Sequence, residues 1–490
     1  MKSLGSLAVP VTSIERRTLA LNGLDATTGE PLFPPPTLEE IAARACSERL
    51  AAGELEELRR WRSWLQDDHL DTRHGIDPRN LAETGWGVIF PEDRQDELRQ
   101  ALAPLLTWRR SQAASSKEHR YRELIHRRGE SKAAFLARHG LGPGPADPDR
   151  LPYYLLLAAD PEEISFTFQY QLDVQYAVGR LSFPTLDEYA RYAESVVATE
   201  QRPPEPVRRA SFFGVVNADD PVTASCLQQL VMPLAEGIAR DRKDWQVETV
   251  TGPQATKAAL AERMGGARTP ALLFTASHGL VFNPADPRHL PHQGALVCQE
   301  WPGPEARCGR RIPVDHYLSG DDIPDSASPA GLIAFSFACF GAGTPCYDSY
   351  PHAREGERRR IANQSFVARL PQRLLGHPRG GALAVVGHVD LAWTCSFEWP
   401  QAGTQLQVFE SALGRLLDGY PVGAAMECFN QRYAELSSDL SQEVEAVRWG
   451  AEPDVLNLSF LWTANNDARA YVVLGDPAVR LPGAAARAPQ

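Results

Sequence analysis

From residue 206 onwards the chain alternates between short apolar runs and amphipathic runs. The apolar runs have the length of strands, and they read SFFGVVNADD, WQVETVTG, PALLFTASHG, GLIAFSFACFG, GALAVVGHVDLAW and, near the C-terminus, AYVVLGDPAVRL. Helix-like runs separate most of them. Near-continuous apolar strands alternating with helices are typical of a parallel sheet that is buried on both faces. The pattern therefore predicts an α/β fold with a parallel sheet and helices on both of its faces.

A proline-rich break, QRPPEPVRR (residues 201–209), precedes this alternating part. Before the break, GWGVIFPED and LPYYLLLAADP predict strands and TLDEYARYAESVVATE predicts a helix, which indicates a smaller α/β subdomain. Near the N-terminus, Thr37 and Glu40 stand in the positions of a capping box that opens an amphipathic stretch. We expect four parts: a helical lead-in (1–84), a first α/β subdomain (85–205), a second α/β subdomain (206–482) and a tail (483–490).

The overall charge and the cysteines limit the class of protein. A net charge of -12 over 490 residues argues against binding nucleic acid by general phosphate attraction. Eight cysteines without a paired pattern indicate a reducing compartment rather than a disulfide scaffold. The N-terminal stretch is a poor signal peptide, and no apolar run reaches membrane-spanning length. We expect a cytoplasmic protein with neither nucleic acid nor a membrane as its partner.

Two reactive side chains follow consecutive predicted strands. His278 comes directly after ALLFTAS and is followed by Gly279, and Cys339 comes directly after LIAFSFA. The carboxyl ends of parallel strands meet at one edge of a sheet, where ligands bind, so the thiol and the imidazole are expected side by side. A thiolate is a nucleophile, and a neighbouring imidazole exchanges its proton. The amides of Gly279 and Cys339 are candidates for an oxyanion hole.

Each residue of this pair also has a simpler interpretation. Free cysteine is among the residues most often buried, so Cys339 alone fits a small core side chain. His278 alone fits a histidine whose hydrogen bonds are satisfied at a strand end. The pair is more informative than either residue, because the two strand contexts agree.

The order of these motifs resembles the caspase/gingipain superfamily of cysteine peptidases, in which an apolar block ends in His-Gly and a second block ends in Ala-Cys or Ser-Cys. Here the two blocks are ALLFTASHG and LIAFSFAC. The segment from YYLLLAADPEE to YAESVV resembles the first subdomain of gingipain-type peptidases, and YVVLGDPAVRL resembles the Leu-Gly-Asp-Pro segment near the end of their catalytic domain. The resemblance spans about residues 85–482, and it implies a caspase-like catalytic subdomain over 206–482.

The same resemblance implies roles for individual residues. Cys339 is then the nucleophile, His278 the general base, and no cofactor is required. The caspase string Gln-Ala-Cys-Arg-Gly is absent, with Phe337 to Gly341 in its place, so a preference for aspartate is not implied. Gingipain-like and CHAT-like bacterial relatives both remain open.

In this superfamily the strand after the cysteine strand leads to the pocket for the residue before the scissile bond. The resemblance thus points to His388, Asp390, Trp393, Ser396 and Glu398 as pocket candidates. An acidic residue there would pair with a substrate arginine or lysine.

Alternatives to this pocket stay open. Asp390 also fits a residue that caps a turn, and Asp348 has similar standing near the cysteine. Trp393 and Trp399 could instead line an apolar pocket. His388 is a rival for the catalytic base.

The loop after His278 contains the zinc-ligand types His289, His292, Cys298 and Cys308. The nine-residue gap between the cysteines is unlike the short spacing of structural zinc sites, so we expect no metal and a loop that covers the active site. Cys346, seven residues after Cys339, is expected to be structural.

The sequence therefore predicts a cysteine endopeptidase that acts on protein or peptide substrates, in a bacterial regulatory or defence pathway. The alternative is a catalytically silent caspase-fold module for interaction or sensing. A peptide ligase or self-processing enzyme would use the same dyad. A regulatory protein partner is left open.

Overall fold

The computed structural model describes residues 23–30, 72–73, 75–202, 208–307, 309–350, 359–400 and 402–482. Most of the predicted helical lead-in (1–84), including Thr37 and Glu40, lies outside these residues, as does the predicted tail (483–490).

Ten strands form the central sheet. In chain order they are β1 Trp86–Pro91, β2 Tyr121–His126, β3 Tyr154–Ala158, β4 Ala177–Leu181, β5 Arg208–Gly214, β6 Trp245–Thr251, β7 Leu272–Ala276, β8 Ile333–Phe337, β9 Ala384–His388 and β10 Tyr471–Gly475. Across the sheet their order is β2-β1-β3-β4-β10-β9-β8-β7-β5-β6. The predicted strands of both α/β parts thus join one sheet.

The sheet has two parallel halves that run in opposite directions. β2, β1, β3, β4 and β10 pair in parallel, and so do β9, β8, β7, β5 and β6. The halves meet where β10 pairs antiparallel with β9. The carboxyl ends of β7, β8 and β9 therefore lie at the same edge as the amino end of β10.

Helices flank this sheet. Those of seven or more residues are α1 Gln95–Ala101, α2 Ala103–Ala113, α3 Lys132–Arg138, α4 Phe166–Asp173, α5 Leu186–Glu200, α6 Met232–Asp241, α7 Lys257–Arg263, α8 Arg369–Leu375, α9 Gln407–Leu417, α10 Glu427–Arg448 and α11 Val455–Arg469. Short α-helices span Leu81–Thr84, Pro221–Ser225, His289–His292, Pro304–Arg307 and Val422–Ala425, and a π-helix spans Cys226–Val231. In the described part of the chain, no helix combines the length and apolarity that a membrane span requires.

Three further small sheets lie outside the central one. The first orders Gly23–Asp25, Gly279–Val281, Leu296–Val297 and Tyr317–Leu318, so that an N-terminal segment pairs with the residues directly after His278. The others pair Gly343–Thr344 with Phe366–Val367 and Glu398–Trp399 with Gly403–Thr404.

A row of aromatic side chains crosses the middle of β5, β7 and β8. Phe212, Phe274 and Phe335 are register partners, and their ring centroids lie 5.7 and 5.2 Å apart. Phe409 of α9 packs on Phe274 and Phe335, and Phe429 of α10 packs on Phe335. Cross-strand aromatic pairs stabilise a sheet beyond the burial of their area. This row therefore stabilises the strands that lead to His278 and Cys339.

The Leu-Gly-Asp-Pro segment fixes β10 to the first half of the sheet. Asp476 is fully buried and accepts from Trp86 Nε1 at 2.9 Å and from Arg109 Nε at 2.6 Å. Arg109 also binds Glu200 of α5 at 2.6 Å. A buried carboxylate is tolerated only when paired in this way, so the motif has a structural role here.

The predicted fold class, an α/β protein with a mainly parallel sheet and flanking helices, is confirmed. The expected division at the proline-rich break stays a prediction, and residues 203–207 of that break lie outside the described part. Two features differ from expectation: the sheet reverses direction at β10, and a long helical hairpin, α10 and α11, precedes that strand.

Candidate active site

His278 lies just beyond the end of β7. The Ser277 amide donates to the Phe337 carbonyl at 3.2 Å, which continues the pairing of β7 with β8 up to this point. The Nε2 atom of His278 lies 2.6 Å from Oδ2 of Asp220, and both side chains are buried. A buried imidazole beside a buried carboxylate is the arrangement that orients a catalytic histidine.

The loop after β5 positions Asp220, which caps the helix Pro221–Ser225. Its Oδ1 accepts from the Val222 amide at 3.1 Å, and its Oδ2 accepts from the Thr223 hydroxyl at 3.1 Å. Burial acts to raise the pKa of Asp220, but the His278 ring and the Thr223 contacts outweigh it and hold that pKa below its ordinary value. The carboxylate is therefore ionised and orients the ring.

Asp220 was not among the residues singled out from the sequence. The available signal was Asp-Asp-Pro directly after the run SFFGVVNA, since an aspartate before proline is a common helix start. Such a start places the aspartate at a strand end, but its pairing with His278 links residues 58 positions apart. Local pattern does not report that pairing.

The contact with Asp220 determines which nitrogen of His278 can act as a base. A carboxylate only accepts hydrogen bonds, so Nε2 must carry a hydrogen. In the neutral ring the lone pair is then on Nδ1, which is buried and makes no hydrogen bond. The Trp301 ring packs edge-on against the imidazole, with centroids 5.9 Å apart. Nδ1 is thus available to accept a proton.

Cys339 follows β8, and the predicted adjacency of the two strands is confirmed. Phe335 is the register partner of Phe274, and Phe337 that of Ala276. The backbones beyond these strands approach so closely that a Cβ added to Gly279 would lie 1.9 Å from the Cys339 carbonyl oxygen. Only glycine fits after His278, and this close approach brings the two reactive residues together.

The thiol of Cys339 is fully buried in this structure. Its Sγ accepts a hydrogen bond from the Ala392 amide at 3.1 Å. Burial raises the pKa of Cys339 well above its ordinary value, although the Ala392 hydrogen bond acts to lower it. The site is therefore closed, and its thiol is protonated at neutral pH.

Strained backbone flanks both the acid and the thiol. Within the described residues, Asp219 and Phe340 are the non-glycine residues with positive φ, and both have a φ of 56°. Asp219 precedes Asp220, and Phe340 follows Cys339. Left-handed backbone at non-glycine residues is costly and clusters at functional sites.

The amides after the thiol are already occupied. Phe340 donates to the Asp390 carbonyl and Ala342 to the His388 carbonyl, each at 2.9 Å. The Cys339 amide has no backbone acceptor among the described residues. This leaves it available for the predicted oxyanion hole, and that role and the role of Gly279 stay predictions.

His388 ends β9 but faces a different partner. It is fully buried, its Nε2 lies 3.3 Å from Asp467 Oδ1, and its ring packs on Tyr471 at 4.4 Å. The structure thus pairs His388 with a carboxylate of α11, whereas His278 is paired with Asp220.

The other pocket candidates lie in the loop after β9. Asp390 is buried, and its Oδ1 accepts from the Leu391 amide at 2.8 Å, as a turn-capping aspartate does. Burial and the nearby Asp348 raise the pKa of Asp390 to about 6. Trp393 is buried and packs on Tyr350 at 5.2 Å, whereas Glu398 is half-buried in a small hairpin.

The zinc-type residues are dispersed among separate contacts. His289 packs on Phe366, His292 contacts Tyr317 and Asp321, and Cys298 contacts the Leu296 carbonyl. Cys308 lies outside the described residues. No metal-binding cluster of His, Cys, Asp and Glu is found within the described ranges. The Sγ of Cys346 donates to the Ala362 carbonyl at 3.3 Å.

Comparison with known proteins adds a limited similarity of structure. No family model and no curated protein matches this sequence. A solved structure described as that of a protease is 13% identical, with a TM-score of 0.47, over 83% of this chain and 80% of that chain. The Saccharomyces cerevisiae separase–securin complex is 9% identical, with a TM-score of 0.30, over 66% of this chain and 16% of that chain. At these values neither similarity carries an argument about activity.

Proposed function

We propose that this protein is a cysteine endopeptidase with Cys339 as nucleophile, His278 as general base and acid, and Asp220 as the residue that orients His278. The observation that carries the proposal is the 2.6 Å contact between Asp220 and His278, beside the backbone of Cys339. The His-Gly and Ala-Cys motifs support it through their resemblance to the caspase/gingipain superfamily. The same resemblance and the composition are the support for a bacterial, cytoplasmic setting.

The chemistry follows from the two nitrogens of His278. Nδ1 accepts the thiol proton, and Asp220 stabilises the resulting imidazolium through Nε2. The thiolate attacks the scissile carbonyl, and the amides of Cys339 and Gly279 donate to the oxyanion. Nδ1 then returns the proton to the leaving amine as the carbon–nitrogen bond breaks. Water, deprotonated by the same nitrogen, releases the acyl group and restores the thiol.

A catalytically silent module remains the second candidate, because the thiol is fully buried in this closed state. Substrate entry requires movement of residues that cover the thiol. Incubation with a peptidyl electrophile separates the two functions. Covalent labelling confined to Cys339 supports the peptidase, and a folded protein that labels nowhere supports the silent module.

His278→Ala is expected to lower kcat/KM by at least about 10²-fold, the usual contribution of general acid–base catalysis. His388→Ala is expected to cost less and to act mainly through KM. Asp220→Asn is expected to lower kcat with little change in KM. The side-chain NH2 of asparagine can donate to Nε2, so the hydrogen of the neutral ring moves to Nδ1, which can then no longer act as the base. Steady-state kinetics on one peptide, with circular dichroism of each variant, check this ranking. A larger loss of kcat/KM for His388→Ala than for His278→Ala would show that His388, rather than His278, is the catalytic base.

We further propose cleavage after arginine or lysine. Asp348 is close enough to Asp390 to raise its pKa, and a substrate cation would compensate both charges. Arg469 acts against this, since its charge already lowers the pKa of Asp390. The preference is expected to strengthen as the pH rises through about 6, where Asp390 ionises. A fluorogenic series differing only at that residue, assayed on both sides of this pH, measures it. Faster cleavage after leucine, phenylalanine or aspartate would end the proposal and leave the dyad untouched.

A further inference from the structure

Asp467 is a buried carboxylate that the proposed chemistry does not use. It lies near the end of α11, just before β10, and is fully buried. It accepts from the Trp393 amide at 3.0 Å and from the Ser396 hydroxyl. Arg432 Nη1 of α10 lies 3.7 Å away and provides a counter-charge. Burying a carboxylate costs free energy of folding unless its contacts compensate. The contacts of Asp467 therefore indicate its role.

Those contacts fix the loop that holds the thiol. Trp393 donates its amide to Asp467, and the preceding residue, Ala392, donates its amide to Cys339 Sγ at 3.1 Å. Arg432 strengthens the same attachment by donating from Nη2 to the Cys395 carbonyl at 2.7 Å. Consecutive amides of one loop therefore link the carboxylate of α11 to the sulfur.

We propose that Asp467 is a positioning residue that holds the Ala392 amide against Cys339 Sγ and so stabilises the thiolate. Its consequence for catalysis rests on the proposed function, in which that thiolate is the nucleophile. The effect of Asp467 on the pKa of the Cys339 thiol does not depend on the proposed function, and it can be measured without any substrate.

The negative charge of Asp467 and the loop position that it maintains change the pKa of Cys339 in opposite directions. As anions, Asp467 and Asp390 both disfavour a thiolate at Cys339, and so does the Cys226 thiol when ionised. The Ala392 hydrogen bond favours the thiolate. Loss of the charge of Asp467 alone would therefore lower the pKa of Cys339, whereas loss of the loop position would raise it.

Several other titratable groups face Asp467. His388 of β9 and Arg432 of α10 are its basic neighbours. Burial raises the pKa of Tyr471 of β10 and of Cys395 of the loop, and the charge of Asp467 raises both further. The pKa of Cys339 must therefore be measured with a signal specific to that residue, because total thiol or phenol absorbance would also report these neighbours.

The test is the pH dependence of Cys339 alkylation by iodoacetamide, measured on the full chain by mass spectrometry of the Cys339 peptide. Thiolate absorbance relative to Cys339→Ala provides a second reading. Asp467→Ala is expected to raise the apparent thiol pKa by about one unit, a tenfold loss of thiolate at neutral pH. Asp467→Asn keeps an oxygen that can accept from Trp393 and loses only the charge, so its thiol pKa is expected at or below the wild-type value.

Asp476→Asn is the matched control. Asp476 is equally buried and ionically paired, but it follows β10 at the opposite edge of the sheet. The Asp476→Asn variant is expected to be less stable than the wild type but to have the same Cys339 pKa. If Asp467→Ala fails to fold, Ser396→Ala removes one contact of the same loop and is expected to raise the pKa by a smaller amount.

A fall in the Cys339 pKa, or no change, in folded Asp467→Ala or Ser396→Ala would overturn the positioning role. An equal rise in Asp476→Asn would overturn it too, because the shift would then report general destabilisation. If no peptide is cleaved but the titrations behave as expected, the proposed function fails and the positioning role stands.

Discussion

Cys339→Ala is expected to abolish peptide hydrolysis and to leave the protein folded. In the proposed mechanism the substitution removes the sulfur that forms the acyl-enzyme, so kcat/KM should fall by about 10⁴-fold or more. Cys339 is a small residue at the end of β8, and its Sγ accepts one hydrogen bond, from Ala392. Leaving that amide unpaired costs about 1–3 kcal/mol, which a sheet of this size tolerates.

Peptide hydrolysis with thermal unfolding by circular dichroism measures both expectations. Cys346→Ala is the matched control, because Cys346 lies in the same loop region and contacts the Ala362 carbonyl. It is expected to retain wild-type activity. Hydrolysis by Cys339→Ala at the wild-type rate would show that the nucleophile lies elsewhere.

Gly279→Ala is expected to lower both stability and activity. The added Cβ would lie 1.9 Å from the Cys339 carbonyl oxygen and 2.9 Å from its amide nitrogen. These are backbone atoms, so the strand ends must separate rather than a side chain rotate. Overpacking of this kind costs about 1–3 kcal/mol or more. Displacing reactive groups by about 1 Å lowers rates by about 10²-fold.

Urea unfolding and kcat/KM of Gly279→Ala report the two effects separately. Gly142→Ala is the control, because an added Cβ there meets nothing within 4 Å and no positive φ is recorded. It is expected to match the wild type in both measurements. A stable and fully active Gly279→Ala would show that the two backbones can part without cost to the site.

The sequence predicted the second half of the sheet well because its central strands β7, β8 and β9 are near-continuous apolar runs. The runs around Phe274 and Phe335 are buried on both faces, and their chain order matches their adjacency. For the same reason His278 and Cys339 could be located: a polar or reactive residue that ends such a run is visible locally.

The partners of these residues could not be predicted, because they depend on contacts distant in sequence. Asp220 looks like a helix cap until its loop meets His278. Asp467 looks like one polar residue of an amphipathic helix until α11 packs behind the loop after β9. The reversal of the sheet at β10 is likewise invisible in the run YVVLG, since an apolar strand reads the same in either direction.

The place of β10 in the sheet bears on the order in which the protein matures during synthesis. β10 is made after every other described strand, yet it lies between β4 and β9 at the centre of the sheet. Until it leaves the ribosome, both of those strands have an open edge, which in a nascent chain invites pairing with other chains. Asp467 is made in the same late stretch. A growing chain therefore carries Cys339 before the residues that pack behind it have been made, and under the proposed function it could become active only once β10 has joined the sheet.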